Sequence, residues 1–310
     1  MAAKTQRPAA ASAASALPAA GQPLVAVLRG LGQVMFQRNA VTGLLFLAGL
    51  AIASPWLAVG AGAGSVIGTV VASLLRFSAG DIDDGIYGFN SALVGAAAVA
   101  LLPATAITWG LAAAGAAVAA PVTWLLRRQL HFPTYTAGFV LVAWGMLLVA
   151  GLVGDRLQPA TPAVAVKAGW EGFAEEVAAG LAEVMFSSKA ASGLCFLAGI
   201  AVSSWRQAVV AVLGAALGTL GAMYHGDPAG SVALGMYGYN AALAAMAAYL
   251  ARPSLLPAAL AAFASVPLVE FFPSTLGVPA LTAPFIMAAW IVLAFMAIDA
   301  ALAYVGQRKA

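Results

Sequence analysis

The sequence has few charged residues, and this shortage excludes a water-soluble domain. Of its 310 residues, 8% are charged and 63% are hydrophobic, whereas soluble domains carry about 25% charged residues. Residues 41–75 contain no charge at all, and about 20 apolar residues span a bilayer as a helix. The short alternating segments of a membrane β-barrel are absent from the sequence. We therefore predict membrane helices.

Cysteine and histidine are also scarce, which limits the possible chemistry. Cys195 is the single cysteine, so the chain has neither an internal disulfide nor a cysteine-based metal cluster, and we interpret it as a packed thiol. With two histidines and no Ser/His/Asp set or metal-ligand spacing, we predict no catalytic centre, no metal and no cofactor. A Walker A motif is absent, which argues against ATP-driven transport. The basic residues are scattered without aromatic neighbours, so nucleic acid is not an expected partner.

An internal duplication organises the chain. Residues 30–49 and 180–199 are identical at 12 of 20 positions, at an offset of 150. The same offset aligns the motif at 87–90 with that at 237–240, and an offset of 146 aligns 132–139 with 278–285. The predicted divisions are a mobile N-terminal tail (1–22), a first repeat (23–153), a linker (154–172), a second repeat (173–306) and a basic C-terminal tail (307–310).

The lengths of the apolar stretches predict the topology. Each half has about five spanning stretches and a shorter one, at 24–36 and 174–186. A dozen residues make about 18 Å of helix, too short for a core of about 30 Å, so these segments should be re-entrant or interfacial. An odd number of crossings makes the second half enter from the opposite face. Basic residues near both ends place both termini in the cytoplasm. The predicted fold class is an all-α polytopic membrane protein with two inverted-topology repeats.

Two paired motifs are candidates for a polar pathway. Gln33 and Glu183 are equivalent, each before a Val-Met-Phe sequence, and a carboxylate beside an apolar helix is costly unless it faces water or a partner. We interpret both as lying at pore mouths, the alternative being an interfacial position. The Tyr-Gly-aromatic-Asn motifs end in Asn90 and Asn240; their aromatics could form flat slots or pack ordinarily, and the asparagines should hydrogen-bond between helices.

A third paired element is a break that contains threonine. Proline forces the backbone out of a regular helix around Thr136 and Thr282. Carbonyls freed at membrane depth are tolerated where they are buried in protein or line a polar cavity. We therefore expect the two breaks to face each other near the midplane, with carbonyl and hydroxyl oxygens available as acceptors.

These motifs together resemble the urea transporter family over about residues 28–304, and we expect a bacterial member. The resemblance implies a homotrimer with one pore in each protomer, and ten membrane helices and two re-entrant helices in each chain. It also implies the substrate-binding residues, which are Gln33 and Glu183 at outer positions, Phe89, Leu93, Val34 and Phe186 in one slot, Tyr239, Leu243, Phe36 and Val184 in the other, and Thr136 and Thr282 in the central constriction. Tyr239, where the family has Phe, and Gly138, where the second repeat has proline, depart from the pattern.

The resemblance implies passive permeation of urea through a multi-pass protein of the cell (inner) membrane. The alternatives are a channel for ammonia, water or other small amides, and an ion-coupled carrier. An ammonium channel would place histidines deep in its pore, yet His131 and His225 lie beside predicted loops. Ion coupling needs buried charges, and Glu270 and Asp299 have no counterpart in the other half.

Overall fold

Apolar stretches separated by short polar breaks form an all-helical protein. The computed structural model describes residues 22–154, 157 and 166–307, and within these ranges the chain contains helices and no strand. The predicted terminal tails, apart from Gln22 and Gln307, and most of the predicted linker lie outside the described residues. The all-α fold class is confirmed.

The first repeat contains seven helices. Asn39 begins the second of them, because its Oδ1 accepts hydrogen bonds from the backbone N–H groups of Val41 and Thr42, and Pro55 occupies the first turn of the third. The helices are α1 (Gln22–Gln33), α2 (Ala40–Ala53), α3 (Pro55–Leu74), α4 (Ala79–Asp83), α5 (Gly88–Leu101), α6 (Ala106–Gln129) and α7 (Ala137–Leu152).

The second repeat has the same series of helices. These are α8 (Gly169–Glu183), α9 (Ala190–Ser203), α10 (Trp205–His225), α11 (Ala229–Ala233), α12 (Gly238–Ala251), α13 (Leu255–Glu270) and α14 (Ala283–Gln307), with a 3-10 turn at Ser274–Leu276. Five longer helices and one short helix per half agree with the prediction, whereas the five-residue helices α4 and α11 were not expected. Helix α8 begins five residues before the predicted short stretch.

Four described helices are long and apolar enough to cross a membrane: α3, α6, α10 and the first 22 residues of α14. Five shorter helices, of 14 to 16 residues, are also apolar. Large apolar side chains on the outside of the bundle include Leu44, Trp56, Leu74, Leu148 and Phe295, each more than half exposed. Such a surface is unsuited to water and matches a membrane protein.

Reciprocal hydrogen bonds show how the two repeats are related. The Thr42 hydroxyl donates to the Gly199 carbonyl (2.6 Å), and the Ser192 hydroxyl donates to the Gly49 carbonyl (2.7 Å). Thr42 is equivalent to Ser192 and Gly49 to Gly199, so exchanging the repeats reproduces the contact, which is the property of a two-fold relation. Because advancing along α2 means retreating along α9, the two helices are antiparallel. The repeats therefore have inverted topology, as predicted.

Two tryptophans repeat this exchange at the other end of the sequence units. The Trp144 indole N–H donates to the Pro279 carbonyl (2.9 Å), and the Trp290 indole N–H donates to the Pro133 carbonyl (2.8 Å). Both pairs are related by the offset of 146 residues. The break of each repeat is therefore anchored by a helix of the other.

A glycine turn allows each short helix to approach the chain that follows it. Gly85 and Gly235 have φ of 78° and 80°, a region that other residues adopt with difficulty. A Cβ at Gly235 would also meet the backbone of Ala179 and Gly180 in α8. At Gly277, φ is 67° but a Cβ would have nothing within 4 Å.

We expect Gly235→Ala to destabilise the protein more than Gly277→Ala does. Both changes impose left-handed strain of roughly 1 kcal/mol, but only the first overpacks a helix contact, which should cost about 1–3 kcal/mol more. Thermal unfolding of the detergent-solubilised variants measures the difference. Equal melting temperatures would contradict the close approach.

Candidate functional site

The two short helices end in the same strained turn. Helix α1 ends at Gln33 and α8 at Glu183, each three residues before the predicted end. The reason is that Phe36 and Phe186 have φ of 63° and 65°. This conformation costs a residue other than glycine roughly 1–2 kcal/mol, and such strain concentrates at functional sites. A phenylalanine in this position in both repeats suggests that its ring is needed there.

The polar residues at these helix ends have different partners. The Gln33 amide N–H₂ group donates to the Asp84 carbonyl (2.9 Å). Leu234 is equivalent to Asp84, but among the described residues no hydrogen bond joins the Glu183 side chain to the Leu234 carbonyl. Within the described ranges, no group hydrogen-bonds to the partly buried Glu183 carboxyl group. Glu183 thus keeps its acceptor capacity, and its role at a pore mouth stays a prediction.

The ring at the end of each short helix packs on the opposite repeat. Phe36 lies 6.1 Å from Phe285 of the second repeat, and Phe186 lies 6.1 Å from Phe139 of the first, both measured between ring centroids. Phe139 and Phe285 were aligned by the duplication but were not selected as site residues. Their identical spacing in the two repeats was the available signal.

The eight predicted slot residues lie in one apolar region. Five of them are buried members of the main cluster, and three are partly buried side chains packed against it. The buried ones are Val34, Leu93, Val184, Tyr239 and Leu243; the partly buried ones are Phe36, Phe89 and Phe186. Their division into two slots stays a prediction.

The two threonines of the breaks meet between the repeats. Thr136 immediately precedes α7, Thr282 immediately precedes α14, and each is 2% exposed. Their hydroxyl oxygens are 2.7 Å apart. Only one of the two O–H groups can donate within this pair, so the other proton and several lone pairs remain for a third group. The backbone is non-helical before both threonines, as the prolines predicted.

The carbonyl groups of the breaks are less free than the sequence suggested. The Pro133 and Pro279 carbonyls accept hydrogen bonds from indole N–H groups of the opposite repeat. The Leu281 carbonyl accepts from the Tyr239 hydroxyl (2.6 Å). Water is scarce at membrane depth, so the protein supplies these hydrogen bonds itself. Trp144 and Trp290 were missed, although their offset of 146 residues was visible in the sequence.

The two motif asparagines hold the first turns of neighbouring helices. The Asn90 carboxamide oxygen accepts from the Phe139 backbone N–H (3.2 Å), and that of Asn240 accepts from the Phe285 backbone N–H (3.0 Å). The first N–H groups of a helix have no partner within it. The predicted interhelical role of both asparagines is confirmed.

Gly138 is explained by the packing around Asn90. The Asn90 amide donates to the Thr123 hydroxyl (2.8 Å), and a Cβ at Gly138 would lie 2.7 Å from that oxygen and 3.0 Å from the Asn90 amide nitrogen. A proline ring has no room there. The glycine is therefore the consequence of a packed polar contact.

In the second repeat the amide of the equivalent asparagine has a different hydrogen-bond partner. Val269 stands where the first repeat has Thr123 and offers no acceptor. The Asn240 amide donates instead to the Leu281 carbonyl (3.3 Å), which already accepts from the Tyr239 hydroxyl. The departure at Tyr239 thus adds an internal hydrogen bond, and its hydroxyl is already engaged.

The titratable side chains considered for rival functions lie at the periphery. His131 is exposed, and the His225 side chain is 41% exposed at the end of α10. The Asp299 side chain is 74% exposed and lies 3.6 Å from Arg252. These positions agree with the expectation that both histidines lie beside loops.

Comparison with known proteins identifies the family. The family model described as "Urea transporter" matches residues 24–297. Urea transporter 1 of Ovis aries is 27% identical over 236 residues, and that of Rattus norvegicus is 25% identical over 237 residues. Each match covers 71% of this chain and 61% of the relative, so the chain spans less than two thirds of these relatives' length. Since the family model covers most of the chain, the protein belongs to the urea transporter family.

Proposed function

We propose that the chain conducts urea passively, in either direction, down its concentration gradient. The observation that carries the proposal is the buried Thr136–Thr282 hydroxyl pair between two inverted repeats. Apolar side chains surround the helix ends on both sides of it. Membership in the urea transporter family supports urea as the permeant.

The chemistry of urea suits this arrangement. Urea is planar, uncharged and strongly dipolar, with four N–H donors and one carbonyl acceptor. Narrow apolar slots would remove its hydration shell, and each hydrogen bond left unmade costs about 1–3 kcal/mol. The threonine pair offers one free O–H group for the urea carbonyl and lone pairs for its N–H groups. Weak sites in series let a solute leave as readily as it enters.

In this proposal the two short helices lie at the two entrances of the pathway. Gln33 and Glu183 bind urea at the outer positions, and the unoccupied acceptors of Glu183 receive its N–H groups. One slot comprises Phe89, Leu93, Val34 and Phe186, and the other comprises Tyr239, Leu243, Phe36 and Val184. Phe36 and Phe186 contact the opposite repeat, which is the exchange that these slot assignments require.

The proposal extends to the assembly and its location. The chain acts as a transporter and not as an enzyme. It spans the cell (inner) membrane several times with both termini in the cytoplasm, on the evidence of its terminal basic residues. It forms a homotrimer with one pore per protomer, and this rests on the family resemblance.

Stopped-flow light scattering of proteoliposomes tests the function. Vesicles with the protein should equilibrate urea faster than empty vesicles, with no need for a proton or sodium gradient. Equal rates in both vesicle types would refute urea permeation. Dependence on an ion gradient would favour a coupled carrier, and faster passage of ammonia or water than of urea would favour those channels.

We expect Tyr239→Phe to change urea permeability by no more than about twofold. The Tyr239 hydroxyl is engaged by the Leu281 carbonyl, which keeps the Asn240 amide as a second donor. Loss of one of two donors should therefore cost about 0.5–1.5 kcal/mol of stability and leave the apolar ring in place. The same proteoliposome assay and a thermal unfolding curve measure both effects. A large loss of permeability with normal stability would show that this hydroxyl contacts the solute.

A further inference from the structure

Three metal-ligating side chains meet at the ends of two helices. His225 is the last residue of α10, Asp227 follows it closely, and Glu270 is the last residue of α13. One donor atom from each lies within 4.8 Å of the other two. Glu270 is 45 residues from His225 along the chain, which is why sequence spacing did not reveal the cluster.

The two carboxylates of this cluster lack a full counter-charge. The Asp227 Oδ1 accepts from the Tyr237 hydroxyl (2.8 Å), but Oδ2 is buried and has no hydrogen-bond partner among the described residues. Glu270 contacts the His225 imidazole at 3.1 Å. In the part of the chain that the structure describes, neither carboxylate forms an ion pair with lysine or arginine. A buried acceptor without a partner costs about 1–3 kcal/mol.

A neighbouring cavity brings a further acidic side chain close to the cluster. Asp227 also borders a cavity of about 430 Å³ that contains Glu176. Glu176 is 5% exposed, and its Oε2 is likewise buried without a partner among the described residues. The nearby Lys167 is committed to Glu175 at 2.6 Å, and the hydrogen bond to Glu175 raises the pKa of Lys167. A bound cation would relieve this accumulation of acidic groups.

The first repeat provides an internal comparison. Leu75, Phe77 and Trp124 occupy the positions equivalent to His225, Asp227 and Glu270. Phe77 and Trp124 form a parallel stack with ring centroids 5.3 Å apart. The fold therefore packs this position with apolar side chains alone. The second repeat carries metal-ligand chemistry there instead, and such departures from good local packing tend to mark function.

We propose that His225, Asp227 and Glu270 bind one divalent transition-metal ion of the zinc type. Imidazole nitrogen and carboxylate oxygen are both ligands of zinc, and three protein ligands leave a fourth position for water. The ion can enter from solvent because the side chains of His225 and Glu270 are 41% and 31% exposed. The flanking residue Tyr224 is exposed, and tyrosine is enriched at the membrane–water boundary. The bound ion would link the end of α10 to the end of α13. Through Asp227, which accepts from the Tyr237 hydroxyl, it would also be connected to the start of α12.

Isothermal titration of the full-length protein with ZnCl₂ in lipid nanodiscs tests the proposal. The protein should carry an affinity tag without histidine. We expect about one zinc ion per chain, and binding at least about tenfold weaker in His225→Ala and Asp227→Asn, which corresponds to about 1.4 kcal/mol. His131→Ala, which removes the other histidine of the chain, is the matched control and should bind as the wild type does.

Thermal unfolding gives a second measurement for variants that bind poorly because they fold poorly. Zinc should raise the melting temperature of the wild type and of His131→Ala, and should leave that of Glu270→Gln unchanged. Equal zinc binding by wild type and His225→Ala overturns the proposal. Equal losses in the His131 and His225 variants, or displacement of zinc by equimolar CaCl₂, overturn it too. None of these readouts uses urea, so the result is independent of the permeation test.

Discussion

Thr282→Val should lower the urea permeability of proteoliposomes at least about fivefold while the protein still inserts and assembles. Valine has nearly the same shape as threonine but cannot hydrogen-bond. The Thr282 hydroxyl oxygen lies 2.7 Å from that of Thr136 between the repeats, so the substitution removes one of the two hydroxyl groups of the buried pair. A solute hydrogen bond left unmade at this proposed constriction should raise the barrier by about 1–3 kcal/mol, and each 1.4 kcal/mol is about tenfold in rate. Thr136→Val should act alike.

A matched threonine separates this effect from a loss of stability. Thr219 in α10 is 1% exposed, and its hydroxyl has no hydrogen-bond partner among the described residues. Thr219→Val should therefore leave both permeability and melting temperature close to wild type. Unchanged urea permeability in both Thr136→Val and Thr282→Val would show that the hydroxyl pair is dispensable, and the central part of the proposal would fail.

Phe186→Gly should weaken the discrimination between urea and its larger methylated analogues. Phe186 has φ of 65°, so glycine relieves backbone strain of roughly 1–2 kcal/mol, which offsets part of the lost packing of a partly buried ring. The ring contact with Phe139 disappears, and the slot opens. We expect the ratio of urea to dimethylurea permeability to fall at least about tenfold, equivalent to about 1.4 kcal/mol of selectivity.

Arg76→Gly is the control for the backbone effect. Arg76 also has a positive φ, of 56°, but its side chain is exposed and lies outside the proposed pathway. It should gain the same relief of strain and keep the wild-type permeability ratio. If the ratio in Phe186→Gly remains at the wild-type value, the ring does not define the width of the pathway.

The sequence revealed the repeats and their inverted relation because duplication leaves an in-register record. The shared motifs located Thr136 and Thr282 in equivalent breaks, and an odd number of apolar stretches per half implied opposite orientations. The helix ends were harder to place. Phe36 has no local signal for a left-handed turn, since helices usually end in this way at glycine, so α1 was extended three residues too far.

Hydrogen bonds between distant segments were the part that the sequence concealed. Nothing near Pro133 indicates that Trp290 donates to its carbonyl, and nothing near Gly138 indicates that Thr123 occupies the space of a proline ring. The carbonyls of the breaks therefore seemed available in the sequence but are bonded in the fold. Pairwise comparison of the repeats could have suggested the tryptophans, whereas the Thr123–Asn90 contact has no counterpart and depends on tertiary packing.

The two-fold relation between the repeats has a consequence for the direction of solute movement. In the proposed function, a neutral solute that enters from either side meets a short helix, an apolar slot and the threonine pair in the same order. Because the proposed permeation is passive, reversing the orientation of the protein in the membrane would leave the net flux unaltered. The symmetry is broken where the Gln33 amide donates to the Asp84 carbonyl, whereas no described residue hydrogen-bonds to the Glu183 carboxyl group. The two entrances therefore differ in the hydrogen-bonding groups that they offer to a polar solute.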